Sequence, residues 1–280
     1  MADKLSTQLF GTFFLFFVLQ LSVIKSVELE SVQNLEQAQK GDTMNGVNQI
    51  KKYLKTYGYY HHDTKHTLDD QFDDPLESAL KTYQEYLGID VTGRIDSDTI
   101  QAMLTPRCGV PDGLVSNYSF PGAPYKWRTR NLAWSIRNSV TGFTEATLSP
   151  IFAEAWKSWA DVSPFSFREV KNNVRHEIDI GFFPNNHGDG NPFGRAFAHA
   201  YYPTDGRVHF NENWNWTSNP TKEKSKVDVQ SIAVHEFGHA LGLDHSSEKA
   251  AVMYAFFNPG IMKRDLTDDD KKGIKALYPS

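Results

Sequence analysis

The chain has 280 residues, room for one large domain or two small ones, and its 40% hydrophobic and 13% aromatic content supplies a real core. A formal charge of -5, a pI near 6.1 and no long basic run argue against a nucleic-acid binder. After Lys4, residues 9–24 form an apolar run with the length and layout of a secretory signal peptide, cleaved near Ser26. The run is too short, and too interrupted by Gly11, Thr12 and Gln20, for a retained membrane anchor. The sequons at Asn117 and Asn215 fit passage through a secretory pathway to the extracellular space or cell wall. Residues 27–45 are polar and aperiodic, a lead-in. Val47, Ile50, Leu54 and Tyr57 then fit one helical face, and Leu76, Leu80, Tyr83 and Leu87 another. Asp96, Ser97 and Asp98 offer capping oxygens for a short third helix carrying Ile100, Met103 and Leu104, which predicts a small three-helix bundle.

The single cysteine cannot form an intramolecular disulfide, so a secreted chain that keeps it needs a use for it. Cys108 lies between two prolines in Pro106-Arg107-Cys108-Gly109-Val110-Pro111-Asp112. A thiolate is a strong zinc ligand, and one placed on a catalytic zinc would leave no position for water. Residues 111–124 are rich in proline and glycine and read as an exposed linker, with activation cleavage expected between residues 112 and 120. Strands are expected at 132–137, 165–170, 177–182, 196–202 and 207–210. Phe152, Ala155, Trp156 and Trp159 form a helical stripe; its helix starts either at Ser149-Pro150 or at Thr144 with a kink at Pro150. A last helix opens at Thr267 with Asp270 as its capping-box partner and buries Ile274 and Leu277.

Between them runs His235-Glu236-Phe237-Gly238-His239-Ala240-Leu241-Gly242-Leu243-Asp244-His245, with its helix expected over 227–242. His235 and His239 stand one helical turn apart and can share a metal ion. Gly242 lets the chain turn through a left-handed conformation and return His245 as a third ligand. Three neutral imidazoles with one open position describe a catalytic zinc, and Glu236 is placed to act as general base on its water. His187, Asp189, His199 and His209, from a loop and two strands, supply four ligands for a second, structural zinc. His61, His62, His66 and His176 fit no such pattern and are expected to face solvent.

The extended His-Glu-x-x-His run, with Met253 eight residues beyond His245, resembles the metzincin proteases and their Met-containing turn. The segment 106–112 matches the cysteine-switch motif of matrix metalloproteinases at every position. The resemblance implies that Cys108 occupies the catalytic zinc in the latent form while Arg107 and Asp112 pair to hold the loop. Residues 87–96 are similar to the peptidoglycan-binding-like fold of the family's prodomains. A free-standing cell-wall module is the competing reading, but Cys108 follows the bundle immediately, which favours a prodomain. The implied fold is α+β: a three-helix prodomain, then a metzincin catalytic domain with a twisted, mainly parallel sheet and three helices. The implied division is 1–26 signal peptide, 27–117 propeptide and 118–280 protease, as in the short plant members without a hemopexin-like domain.

The implied activity is secreted zinc endopeptidase, a monomer acting on extended polypeptides bound along an edge strand at 196–201. Two departures qualify it. Residues 192–197 are about three short of the family's calcium loop and contain no Asp, and Asn211 and Trp214 replace acidic positions, so one calcium site is weakened or lost. Calcium is still expected to be possible near Glu177, Asp179 or Asp205. Ala255 also replaces a proline in the segment that lines the family's specificity pocket. The alternative function is a catalytically silent metal-binding protein with the same fold; an intact Glu236 counts against it.

Overall fold

The computed structural model describes residues 34–36, 38–60, 68–113 and 125–279. The signal-peptide run, His61, His62, His66 and the Asn117 sequon lie outside the described residues. The chain divides into two compact units, Met1–Leu104 and Thr105–Ser280.

The first unit holds α1 (Val47–Thr56), α2 (Asp74–Leu87) and α3 (Ser97–Leu104). The apolar stripes read from the sequence are the buried faces: Val47, Ile50 and Leu54 on α1, and Leu76, Leu80, Tyr83 and Leu87 on α2. Asp73 caps α2 by accepting from the Leu76 N–H at 2.9 Å, and Gly88 ends it in the left-handed region at φ 64°. Asp96 caps α3, accepting from the Thr99 N–H at 2.9 Å. Among the described residues of this unit the buried polar side chains are Lys51, Gln84 and Thr99, and each is hydrogen-bonded. Gln84 accepts from the Gly93 N–H (2.8 Å) and donates to Thr99 Oγ1 (2.8 Å), tying α2 to the loop before α3. The Lys51 ammonium sits between Asp69 (2.8 Å) and Asp73 (2.7 Å), which offsets the cost of removing its charge from water.

The second unit is built on a five-stranded sheet ordered β2-β1-β3-β5-β4, from β1 (Asn131–Ile136), β2 (Ser166–Glu169), β3 (Ile178–Phe183), β4 (Ala198–Ala200) and β5 (Arg207–Asn211). Every pairing is parallel except that of edge strand β4 with β5. A second, two-stranded sheet pairs β6 (Trp216–Thr217) with β7 (Val227–Asp228). Three helices complete the unit: α4 (Glu145–Ala160), α5 (Val229–Ala240) and α6 (Asp268–Leu277).

The longer version of α4 is the one that forms. Thr144 and Thr147 make a reciprocal cap, and exposed Pro150 lies inside the helix at the cost of one i−4 hydrogen bond. The expected start of α5 at residue 227 is corrected: Val227 and Asp228 are strand, and the helix begins at Val229. Asp228 is the reason, because its carboxylate caps Ser231 N–H at 3.1 Å and is gripped by Arg264 Nε at 2.7 Å and Nη2 at 2.6 Å. Edge strand β4 is also shorter than the expected 196–202. Its in-register bonds to β5 nevertheless run one residue further at each end, with Asn211 N–H donating to Phe197 O (2.8 Å) and Tyr201 N–H to Arg207 O (2.8 Å), while Phe197 N–H turns to Arg107 O (3.1 Å).

The stripe on α4 packs on α5: Trp156 stacks on Phe237 with centroids 3.8 Å apart, and Trp159 Nε1 donates to Val234 O at 2.8 Å. On the same helix, a Cβ added at Gly238 would lie 2.3 Å from Met253 Sδ and 2.9 Å from Trp159. Gly238→Ala must therefore push Met253 or the helix aside. Overpacking of this kind costs about 1–3 kcal/mol, a drop in Tm of roughly 3–10 °C for a unit of this size. A thermal melt of the zinc-loaded variant matching the wild type would show that this contact yields freely. The Met253 turn is also held from α6. The Asp270 carboxylate, besides completing the expected Thr267 capping box, accepts from the Val252 and Met253 N–H groups at 2.9 and 3.0 Å.

Candidate active site

Helix α5 presents His235 and His239 from one face, and the chain leaves it through Gly242 at φ 103°. No side chain fits at that turn, since a Cβ there would stand 2.5 Å from Tyr125 O. The turn returns His245, so that His239 Nε2 lies 3.1 Å from both His235 Nε2 and His245 Nε2. Cys108 Sγ completes the group at 3.5 Å from His239 Nε2, and the four candidate ligand atoms all lie within 4.8 Å of one another.

The opposite ring nitrogens explain why these atoms converge. His235 Nδ1–H donates to Val252 O, His239 Nδ1–H to Leu243 O and His245 Nδ1–H to Asp112 Oδ1, each at 2.7 Å. Each ring thus turns its Nε2 lone pair inward. Burial holds all three imidazoles below their ordinary pKa, with the neighbouring imidazoles adding to the effect at His235 and His239. Neutral rings with oriented lone pairs are the donor set zinc takes, so the residues fit the ion. Glu236 is wholly buried beside them, and neither of its carboxylate oxygens has a hydrogen-bond partner among the described residues. Burial pushes its carboxyl up to about 8, against a smaller opposing pull from the nearby Cys108 thiol.

The segment around Cys108 lies between two walls and bonds both through its backbone. Gly109 N–H donates to Ala198 O (2.8 Å) on β4, and Phe197 N–H donates to Arg107 O (3.1 Å). From the other wall, Ala255 O accepts from Cys108 N–H (2.9 Å), and Phe257 N–H donates to Pro106 O (3.3 Å). Arg107 Nη2 donates to Asp112 Oδ1 at 2.5 Å, with the guanidinium over the Phe256 ring at 4.8 Å. Burial would raise the Asp112 carboxyl, but Arg107 and His245 together hold it well below the usual carboxylate range.

The second set of expected ligands also meets. Asp189 Oδ2 lies 2.7 Å from His187 Nε2, 2.9 Å from His199 Nε2 and 3.0 Å from His209 Nδ1. Burial lowers His199 and His209 to about 4, keeping both neutral near pH 7. Tyr201 was not expected here: its hydroxyl donates to Asp189 Oδ2 at 2.8 Å, and only its position two residues past His199 on the strand hinted at it. The carboxylates considered for calcium have partners within the chain. Asp179 is bound by Arg137, Asp205 by Arg207 at 2.7 and 2.8 Å, and Glu177 accepts from the Ala133 N–H at 2.8 Å. His176 is half-buried 3.8 Å from Asp179 rather than freely solvent-facing, and the Asn215 side chain is exposed.

The family model described as Matrixin matches residues 126–279, more than half of the chain. The chain belongs to the matrixin family. A second model, for a peptidoglycan binding domain, matches residues 43–103 of this matrixin, the three-helix unit. It is 37% identical to Metalloendoproteinase 1-MMP of Arabidopsis thaliana over 262 residues, covering 87% of this chain and 72% of the relative. Against Metalloendoproteinase 1 of Glycine max it is 37% identical over 256 residues, covering 85% and 83%. Stromelysin-1 of Rattus norvegicus is 34% identical over 83% of this chain, which spans only 49% of that longer protein. The matrixin is accordingly a zinc metalloendopeptidase. Its helical unit followed by a mainly parallel sheet with three helices is the architecture expected from the sequence.

Proposed function

We infer that this matrixin is made as a latent precursor in which Cys108 blocks the catalytic centre, and that its processed form is a secreted endopeptidase. The observation that carries the reading is the convergence of Cys108 Sγ and three histidine nitrogens within 4.8 Å. His235, His239 and His245 would hold the catalytic zinc, with Cys108 as the fourth ligand in the latent form. When bound, zinc supplies a Lewis acid that polarises the scissile carbonyl and makes water nucleophilic near neutral pH. Glu236 takes the proton of the attacking water and delivers it to the leaving amine. His187, Asp189, His199 and His209 would hold a structural zinc, a closed set of four with no place for substrate. Arg137 and Arg207 pair with Asp179 and Asp205, although Asp179 Oδ1 is buried without a hydrogen bond among the described residues, so the expectation of calcium there stays open.

The walls around the Cys108 segment also indicate the substrate. Its departure frees Phe197 N–H and Ala198 C=O on one side, and Ala255 C=O and Phe257 N–H on the other. Two rows of main-chain groups suit an extended polypeptide, independent of its side chains. The processed form is expected to cleave a peptide library, to stop when a chelator removes zinc, and to resume on adding zinc alone. No cleavage by zinc-loaded, processed protein would instead leave a silent metal-binding protein.

A further inference from the structure

The three candidate ligand histidines are not oriented alike. His235 and His239 donate their outer N–H to Val252 O and Leu243 O, main-chain carbonyls close to the zinc run itself. His245 donates instead to the carboxylate of Asp112, four residues beyond Cys108. Both side chains are fully buried, and the 2.7 Å contact joins residues 133 positions apart. The same Oδ1 accepts from Arg107 at 2.5 Å, which fixes that oxygen against the imidazole. A carboxylate is a stronger acceptor than a carbonyl, and a ligand histidine bonded to one becomes a better metal donor.

We propose that Asp112 is a positioning residue for His245, so that the segment 106–112 supplies two groups to the metal centre, one to the ion and one to a ligand behind it. The proposal rests on the reading of His235, His239 and His245 as zinc ligands. Expected cleavage after residue 112 then removes both groups together. The precursor holds its zinc more tightly than the processed enzyme for two separable reasons, and Arg107 serves the metal centre by aiming Asp112.

The test uses zinc-loaded, full-length precursor labelled with 15N-histidine, with the Nδ1–H proton resonances of the ligand histidines and the rate of zinc loss to a chelator as readouts. Asp112→Asn is expected to move the His245 resonance, leave those of His235 and His239 in place, and speed zinc loss about tenfold, the lower end of what outer hydrogen-bond partners contribute. The double variant Arg107→Met/Asp112→Asn, which leaves no orphaned buried cation, should give the same shift. Cys108→Ser removes a direct ligand of the shared ion and should move all three histidine resonances, unlike the selective change at Asp112. An unmoved His245 resonance or unchanged zinc loss in both Asp112 variants overturns the proposal while leaving the zinc site intact. Failure of zinc to perturb any of the three histidines in the wild type overturns the underlying site assignment, and the proposal with it.

Discussion

Glu236→Gln in the processed protein is expected to lower kcat by at least about 10^2- to 10^4-fold, the range that a positioned general base contributes, with zinc content unchanged. The argument is one of geometry. Glu236 follows His235 on α5 and is buried beside the candidate ligand cluster, and neither carboxylate oxygen has a hydrogen-bond partner among the described residues that would give it a structural task. Glutamine preserves its shape and cannot take a proton, so folding and metal binding should survive while proton transfer fails. With the Cys108 segment in place, burial lifts this carboxyl to about 8. On the proposed reading, loss of the segment is expected to admit water and lower it, so activity should rise with pH as the base ionises. Steady-state kinetics with metal analysis decide the matter. A kcat within tenfold of wild type would remove Glu236 from the mechanism.

Cys108→Ser is expected to convert the precursor from silent to active. Structural zinc sites release about 10–16 kcal/mol over four ligands, or roughly 3 kcal/mol for each. Losing that much from the closed state raises the open fraction by about 10^2-fold. The four backbone hydrogen bonds to the walls remain, so the segment still docks, but it no longer excludes water from the ion. The initial rate of peptide cleavage by uncleaved precursor should therefore rise about 10^2-fold over wild-type precursor while staying below that of the processed form, followed by self-processing on a gel. A Cys108→Ser precursor that stays intact and silent would mean that the segment blocks the cleft by occupancy alone.

Much of this site was legible because helical spacing is covalent information. His235 and His239 must share a face once α5 forms, and Gly242 is the residue that lets His245 return. Cys108 could be read in the same way, from a rigid segment with one thiol and no disulfide partner. The caps at Thr267 and Asp96 were visible because a side chain three residues from its target reaches it whatever the rest of the chain does. The start of α5 was misplaced because Val227 continues an apolar pattern that suits strand and helix alike. The brief pairing with Trp216 and the Asp228 cap together decided it.

The sequence by itself showed which residues are able to bind metal, where the capped helices begin, and that one thiol was available as a further donor. Tertiary structure alone decided what stands behind those residues. Met253 lies under Gly238, Tyr201 on Asp189, and Asp112 on His245 across 133 residues. Spacing along a chain specifies neighbours within a turn or a strand. Which acceptor completes a buried N–H depends on the packing that brings distant segments together, and no local pattern records it.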